Sequence, residues 1–128
     1  MKKIVFICQH NSCRSQIAEC IAGRILDKNV YEITSAGVYQ GRKINEKAER
    51  ILKRMYGNEA IKGQHVKTVT DEMLESADRL IVIGTDVDVS SLKKHEIEVW
   101  DITDPSGGED IDYISAIGAL KKKIKEIK

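Results

Sequence analysis

The sequence predicts a single α/β domain in three layers, a four-stranded parallel sheet with helices on both faces. Three observations predict it. Short, continuously apolar runs alternate with longer segments whose apolar residues recur at helical spacing. The connections between them are short, as in successive strand-helix units. A length of 128 residues fits one domain, residues 1–128, able to bury roughly two-thirds of the surface of its unfolded chain.

Ile4 to Cys8 reads as the first strand, an unbroken apolar run of the kind buried on both faces of a parallel sheet. It breaks off in Gln9-His10-Asn11-Ser12. From Ser15 onward Ile17, Ile21 and Ile25, joined by Ala18, Cys20 and Ala22, share one face of a helix running to about Asp27. Tyr31 to Ser35 gives a second strand, ended by Ala36-Gly37. Asn45 can cap a helix that runs to Tyr56 and stops at Gly57. Thr70 can cap a short helix from Asp71 to Ser76, with Glu72 and Glu75 in its early turns. Leu80 to Gly84 is a third strand and Glu98 to Trp100 a fourth. After a polar loop from Asp101 to Asp110, the residues Tyr113, Ile117, Leu120, Ile124 and Ile127 mark the apolar stripe of a last helix. Lys121, Lys122, Lys123 and Lys125 lie mostly off it, on a solvated face. Right-handed crossovers leave few topologies, and such sheets bind ligands at the carboxyl ends of their strands. Cys8 stands at that end of the first strand, and the segment after Trp100 stands at that end of the last.

Composition excludes several classes. Apolar residues make up 41% and charged residues 32%, with one proline, a globular rather than a disordered profile. Basic and acidic residues number 21 and 20, so neither nucleic acid nor membrane is an expected partner. No apolar run approaches the roughly 20 residues of a membrane span, and the run from Met1 to Ile7 is too short for a signal peptide. Three cysteines, an odd number, fit a reducing compartment, by default the cytoplasm. His10, His65 and His95 share no metal-ligand spacing with the cysteines and no Cys-x-x-Cys occurs, so neither metal nor cofactor is expected.

The chemistry concentrates between Cys8 and Arg14. The loop Gln9, His10, Asn11, Ser12, Cys13 turns directly into a helix N-terminus, where backbone N–H groups and the helix dipole together favour an oxyanion. The same field favours a thiolate, the reactive form of Cys8. Arg14 adds a planar fork of donors that lysine does not reproduce. Ser15 can donate a hydrogen bond to the thiolate. By itself a cysteine six residues before an arginine is a weak pattern, and Cys8 also reads as a small apolar residue at a strand end. A second element adds weight: Asp104-Pro105, in the loop after the last strand, supplies a carboxylic acid that can protonate a leaving oxygen. Taken alone, Asp-Pro is a common turn initiator.

The stretch from Ile4 to Glu19 resembles the opening of the low-molecular-weight protein tyrosine phosphatase family. Ser35-Ala36-Gly37, the segment His65 to Asp78, and Trp100 followed by Asp104-Pro105 extend the resemblance over nearly the whole chain. It implies a four-stranded parallel sheet, Cys8 as nucleophile, Arg14 as oxyanion clamp, Ser15 as its helper and Asp104 as general acid. Asn11 matches the asparagine that holds the loop's shape, and Cys13 matches a cysteine able to form a reversible disulfide with the nucleophile. The implied substrate is a phosphorylated protein or small aryl phosphate, cleaved through a phosphocysteine without metal.

The family includes arsenate reductases, and His10-Asn11-Ser12-Cys13-Arg14-Ser15-Gln16 is similar to their loop. Thioredoxin-coupled members use two further cysteines beyond the third strand, where this chain reads Ile83-Gly84-Thr85-Asp86-Val87-Asp88-Val89 and has none. Arsenate reduction resolved by an external thiol is therefore the alternative, and a cysteine phosphocarrier a further one. Ser106-Gly107-Gly108 follows Asp104-Pro105 where tyrosine phosphatases of the family usually carry aromatics, which leaves Tyr39 as a candidate wall. Cys20 is expected in the core, His65 in a structural hydrogen bond, His95 at the surface, and Trp100 packed beside the acid loop.

Overall fold

The first strand, β1 (Lys2–Cys8), pairs on one side with β2 (Tyr31–Gly37) and on the other with β3 (Arg79–Ile83), which in turn pairs with β4 (Glu98–Trp100). The four strands are parallel and lie in the order β2-β1-β3-β4, in a computed structural model that describes residues 1–127. The connecting helices are α1 (Arg14–Ile25), α2 (Glu46–Tyr56), α3 (Asp71–Ser76) and α4 (Asp110–Lys125). Among the described residues no helix is long and apolar enough to cross a membrane.

Side chains alternate along β1 and divide the core in two. Ile4 and Phe6, with Ile81 and Ile83 of β3, face a large cluster built with α1, α2 and α4, including Ile17, Ile21, Leu52, Tyr113, Ile117 and Leu120. Val5, Ile7 and Cys8 face the other way, with Leu80 and Val82, against Leu74 of α3 and Leu92 of a single 3-10 turn, Ser90–Leu92. Burial on both faces explains why β1 and β3 read as unbroken apolar runs rather than alternating ones. Phe6 is fully buried and its ring lies 5.8 Å from that of Trp100, so removing it would cost about 3–5 kcal/mol.

Helix ends fall where local chemistry puts them. Asn45 accepts the Ala48 N–H at 3.0 Å to cap α2, which stops at Gly57, φ 99°. Thr70 caps α3 through the Met73 N–H at 3.1 Å, and Glu109 and Asp112 form a reciprocal capping box on α4. The sequence placed these ends within a residue or two. It left out the 3-10 turn, began α1 one residue late and ended β2 two residues early, differences expected at fraying element ends. Trp100 is buried as anticipated, whereas His95 is half-buried rather than exposed.

The strand order positions the site. The chain passes to one side of β1 to form β2, then crosses back over β1 to form β3. A topological switch point therefore lies between the carboxyl ends of β1 and β3, where open sheets of this kind leave a crevice. Cys8 ends the first of these strands and Gly84 follows the last residue of the other.

Candidate active site

Between β1 and α1 the chain must reverse within a few residues, and Asn11 makes the turn. Its φ of 55° lies in the left-handed region, where asparagine is among the few non-glycine residues found regularly. Asn11 is fully buried and spends every hydrogen-bonding position of its amide. Nδ2 donates to Ser15 Oγ at 2.7 Å and to Ser35 Oγ at 2.9 Å. Oδ1 accepts from Gln16 Nε2 at 2.9 Å and from the Lys67 N–H at 3.0 Å. These four bonds fix which end of the amide is nitrogen, and they also orient both hydroxyls. Having accepted from Asn11, Ser35 donates to Glu19 Oε1 at 2.6 Å, while the Ser15 hydroxyl stands 2.8 Å from the Cys8 sulfur, at hydrogen-bond distance. The Lys67 ammonium lies 3.8 Å from the same Glu19 oxygen.

The loop's carbonyls are drawn outward. Cys8, Gln9 and Ser12 accept from the Val38, Tyr39 and Asn45 N–H groups at 3.0, 2.9 and 2.7 Å, and the Asn11 carbonyl accepts from Gln16 Nε2 at 3.0 Å. Across a trans peptide the N–H points opposite to the C=O, so the N–H groups of Gln9, His10, Ser12 and Cys13 turn toward the loop's interior. The first turn of α1 adds more donors, since Cys13 in the N-cap position makes no side-chain capping bond. Gly37 lets the end of β2 press on this loop: a Cβ there would stand 2.7 Å from the His10 carbonyl carbon and 2.8 Å from the Asn11 nitrogen.

Arg14 opens α1 with its side chain 3% exposed. Nη1 donates to Asp86 Oδ1 at 2.7 Å and to the Ile102 carbonyl at 2.8 Å, and Nη2 to Asp86 Oδ2 at 3.0 Å. The guanidinium holds the Asp86 carboxyl below the usual carboxylate range. Gly84, φ 114°, makes room for this pair: a Cβ there would fall 1.8 Å from Arg14 Nη1. The segment that carries Asp86 is tied down beside the loop, with the Asp88 N–H donating to Gln9 Oε1 at 2.9 Å and the Tyr39 hydroxyl to Asp88 Oδ2.

Asp104 is exposed in the loop after β4, and its Oδ1 accepts the Ser106 N–H at 3.0 Å. It lies close enough to the β1-α1 loop for its charge to bear on both Cys13 and Arg14. Cys13 is 4% exposed, and burial, reinforced by Asp104, pushes its thiol up to about 12. Cys20 is a core residue whose thiol donates to the Ala60 carbonyl at 3.3 Å.

The structure thus brings Cys8, Gln9, Asn11, Ser12, Cys13, Arg14 and Ser15 into one cradle with Asp104 nearby. His10 contributes its backbone N–H, while its side chain stands outside, exposed, with its ring 6.1 Å from Tyr39. One expectation needs correction. The His65 ring is exposed and it is the His65 backbone carbonyl that takes the hydrogen bond, from Gln16 Nε2 at 3.0 Å. Sequence reasoning missed Asp86 and Gly84, although the end of a third buried strand was a recognisable place to look. Among the described residues, no group of three or more His, Cys, Asp or Glu side chains is placed to hold a metal ion.

Residues 3–127 match the sequence profile of low molecular weight phosphotyrosine protein phosphatases. The chain belongs to this family. Phosphatase-family enzymes of its kind include arsenate reductases, and curated relatives carry that name. Arsenate reductase 1 of Staphylococcus haemolyticus is 33% identical over 135 residues, covering 99% of this chain and 95% of the relative. The arsenate reductase of Brevibacillus brevis is 30% identical over 131 residues, covering 98% and 95%. Among solved structures, the low molecular weight protein tyrosine phosphatase from T. tengcongensis superposes with a TM-score of 0.83 at 25% identity, covering 97% of this chain and 95% of that one. An arsenate reductase in the phosphate binding state gives 0.81 at 26%, covering 98% and 95%. In this phosphatase-family chain the segment after β3 holds no cysteine, and position 84 has no room for a side chain while Arg14 and Asp86 are paired.

Proposed function

We propose that this protein is a cysteine-dependent phosphomonoesterase acting on phosphotyrosine or small aryl phosphates. The observation that carries the reading is the Ser15 hydroxyl 2.8 Å from the Cys8 sulfur, held there by Asn11, inside a loop whose N–H groups face inward. A hydroxyl beside the sulfur at the start of an uncapped helix can donate to the sulfur as it leaves phosphorus. Cys8 attacks the phosphorus, Arg14 and the loop N–H groups stabilise the oxygens that gain charge, and Asp104 gives its proton to the leaving oxygen as the P–O bond breaks. Asp104 then takes a proton from water, which attacks the phosphocysteine and releases phosphate and the Cys8 thiolate. Ser15 assists this second step by stabilising the departing sulfur. The free thiols suit a cytoplasmic setting.

Arsenate reduction is the second reading, favoured by the curated relatives of about 30% identity and by the polar, ring-free Ser106-Gly107-Gly108 beside Asp104. In that reaction Cys8 displaces oxygen from arsenate. Two thiols in all must then give up two electrons as the arsenic leaves as arsenite and a disulfide forms. Cys13, buried and protonated, is poorly suited to be the second thiol, and Cys20 points into the core, so the reductant is an external small thiol.

A side-by-side assay decides. Hydrolysis of p-nitrophenyl phosphate without added thiol, at a rate far above arsenate reduction with glutathione, is expected. Thiol-dependent reduction of arsenate as the dominant activity would replace the first reading with the second.

A further inference from the structure

A guanidinium has five N–H donors and two forks able to grip a planar pair of oxygens, one end-on through Nη1 and Nη2, the other side-on through Nε and Nη2. In Arg14 the end-on fork is spent. Asp86 takes one hydrogen from each terminal nitrogen, and the Ile102 carbonyl takes the second from Nη1. The side-on fork, Nε with the remaining Nη2 hydrogen, has no partner among the described residues.

We infer that Asp86, admitted by the missing side chain of Gly84, is a positioning residue that turns the side-on fork of Arg14 toward the oxyanion. The inference rests on the oxyanion-binding reading of the loop. Asp86 does not touch the reacting atoms. It fixes the rotation of a group that has no other side-chain partner, while Ile102 alone contacts a single nitrogen and leaves the guanidinium free to pivot about it. The backbone under Asp86 is itself fixed from two directions, by Gln9 of the loop and by Tyr39 from beyond β2, both meeting Asp88. Gly84 belongs to the same device, because any Cβ at that position occupies the space of Arg14 Nη1 and comes within 2.5 Å of Asp86 Oδ1.

The direction of the effect separates positioning from simple charge. A carboxylate beside an anion site repels a phosphate dianion, so if Asp86 acted through its charge alone, neutralising it would tighten phosphate binding. Positioning demands the opposite. A misaligned hydrogen bond to a charged group costs about 10- to 10²-fold in binding, and the loss is expected on that scale.

The test titrates inorganic phosphate into the Cys8→Ser protein, followed by phosphorus NMR or calorimetry, so that no turnover enters the measurement. Asp86→Asn should weaken phosphate binding by about 10- to 10²-fold, Asp86→Glu by less, and neither should weaken it further once Arg14 is replaced by alanine. Asp86 is 61% exposed in its side chain, so its variants retain the fold. Gly84→Ala should weaken binding without adding to the Asp86→Asn loss. Unchanged or tighter binding in Asp86→Asn, or an equal loss with Arg14 absent, overturns the positioning role and leaves the phosphatase reading standing. Failure of the parent Cys8→Ser protein to bind phosphate at all overturns the oxyanion site, and the positioning role with it.

Discussion

Asn11 Nδ2 donates to the Ser15 hydroxyl at 2.7 Å, taking one of its two lone pairs and holding the oxygen 2.8 Å from the Cys8 sulfur, where its proton can be given to a thiolate. A hydrogen bond to a charged group is worth about 1.5–3 kcal/mol, so Ser15→Ala should slow turnover by about 10- to 100-fold. Because the bond favours sulfur as a leaving group, breakdown of the phosphocysteine should suffer more than its formation. Rapid-quench kinetics with p-nitrophenyl phosphate would show this as an enlarged burst. Equal slowing of both steps, with no accumulated intermediate, would remove Ser15 from the second step.

Replacing Cys8 should be absolute. Cys8→Ser is expected to abolish turnover with the melting temperature little changed, since serine is not ionised near neutral pH. Arg14→Lys should cost about 10²- to 10³-fold in kcat, the usual loss when a donor to developing oxyanion charge is removed. It also strands Asp86 without its two-point partner. Steady-state kinetics on both variants provides the check, and near-normal rates for Arg14→Lys would move the oxyanion site elsewhere.

Asp104→Asn should slow aryl phosphate hydrolysis by about 10²- to 10⁴-fold, and the loss should grow as the leaving group becomes more basic. A series of substituted phenyl phosphates measures that slope. If good and poor leaving groups lose equally, Asp104 serves the turn through its bond to the Ser106 N–H and is not the proton donor.

The raised pKa of Cys13 has a signed consequence for stability. Its thiol stays protonated in the folded chain up to about 12, while the unfolded chain loses that proton near the ordinary value of 9.0. Between those values the folded state binds the extra proton, so stability is intact below pH 9 and falls as pH rises toward 12. Thermal melts of wild type and Cys13→Ala across this range should converge or cross as pH increases. Parallel curves would mean that burial does not hold the thiol neutral.

The redox role expected of Cys13 is limited by the same protonation. Peroxide oxidises the Cys8 thiolate to a sulfenic acid, and Cys13 then displaces water from it to close a disulfide. Capture needs the Cys13 thiolate, so disulfide yield in wild type should be low near pH 7 and rise with pH. Mass spectrometry of peroxide-treated wild type and Cys13→Ser, with activity recovered by dithiothreitol, measures both. Equal recovery and no Cys8 to Cys13 linkage at any pH would leave Cys13 a packing residue.

Much of this molecule was legible from residue patterns. The apolar runs of β1 and β3, the caps at Asn45 and Thr70, and the cysteine-to-arginine loop are all local, and each declares itself within a few positions. Asp86 was not legible, because its role depends on β3 lying next to β1, and strand order is not written in any local pattern. Lys67 and Glu19 were hidden for a related reason. Their contact spans the junction of α1 with the segment before α3, and charged residues at half-buried positions read as ordinary surface. The His65 expectation failed because side-chain type says nothing about which carbonyl a buried glutamine will find.

The strand order also sets a timetable. Arg14 reaches Asp86 across 72 positions and Ile102 across 88, so a chain leaving the ribosome presents Cys8 and Arg14 long before it holds Asp86, Ile102 or Asp104. Until β3 is made, β1 lacks a neighbour that pairs with it in the finished sheet, and until α4 is made, Ile17 and Ile21 lack much of their cover. Incomplete chains therefore carry the thiol without the machinery around it and expose surface that invites aggregation. In biosynthesis, the cradle is complete only when nearly the last helix has been made.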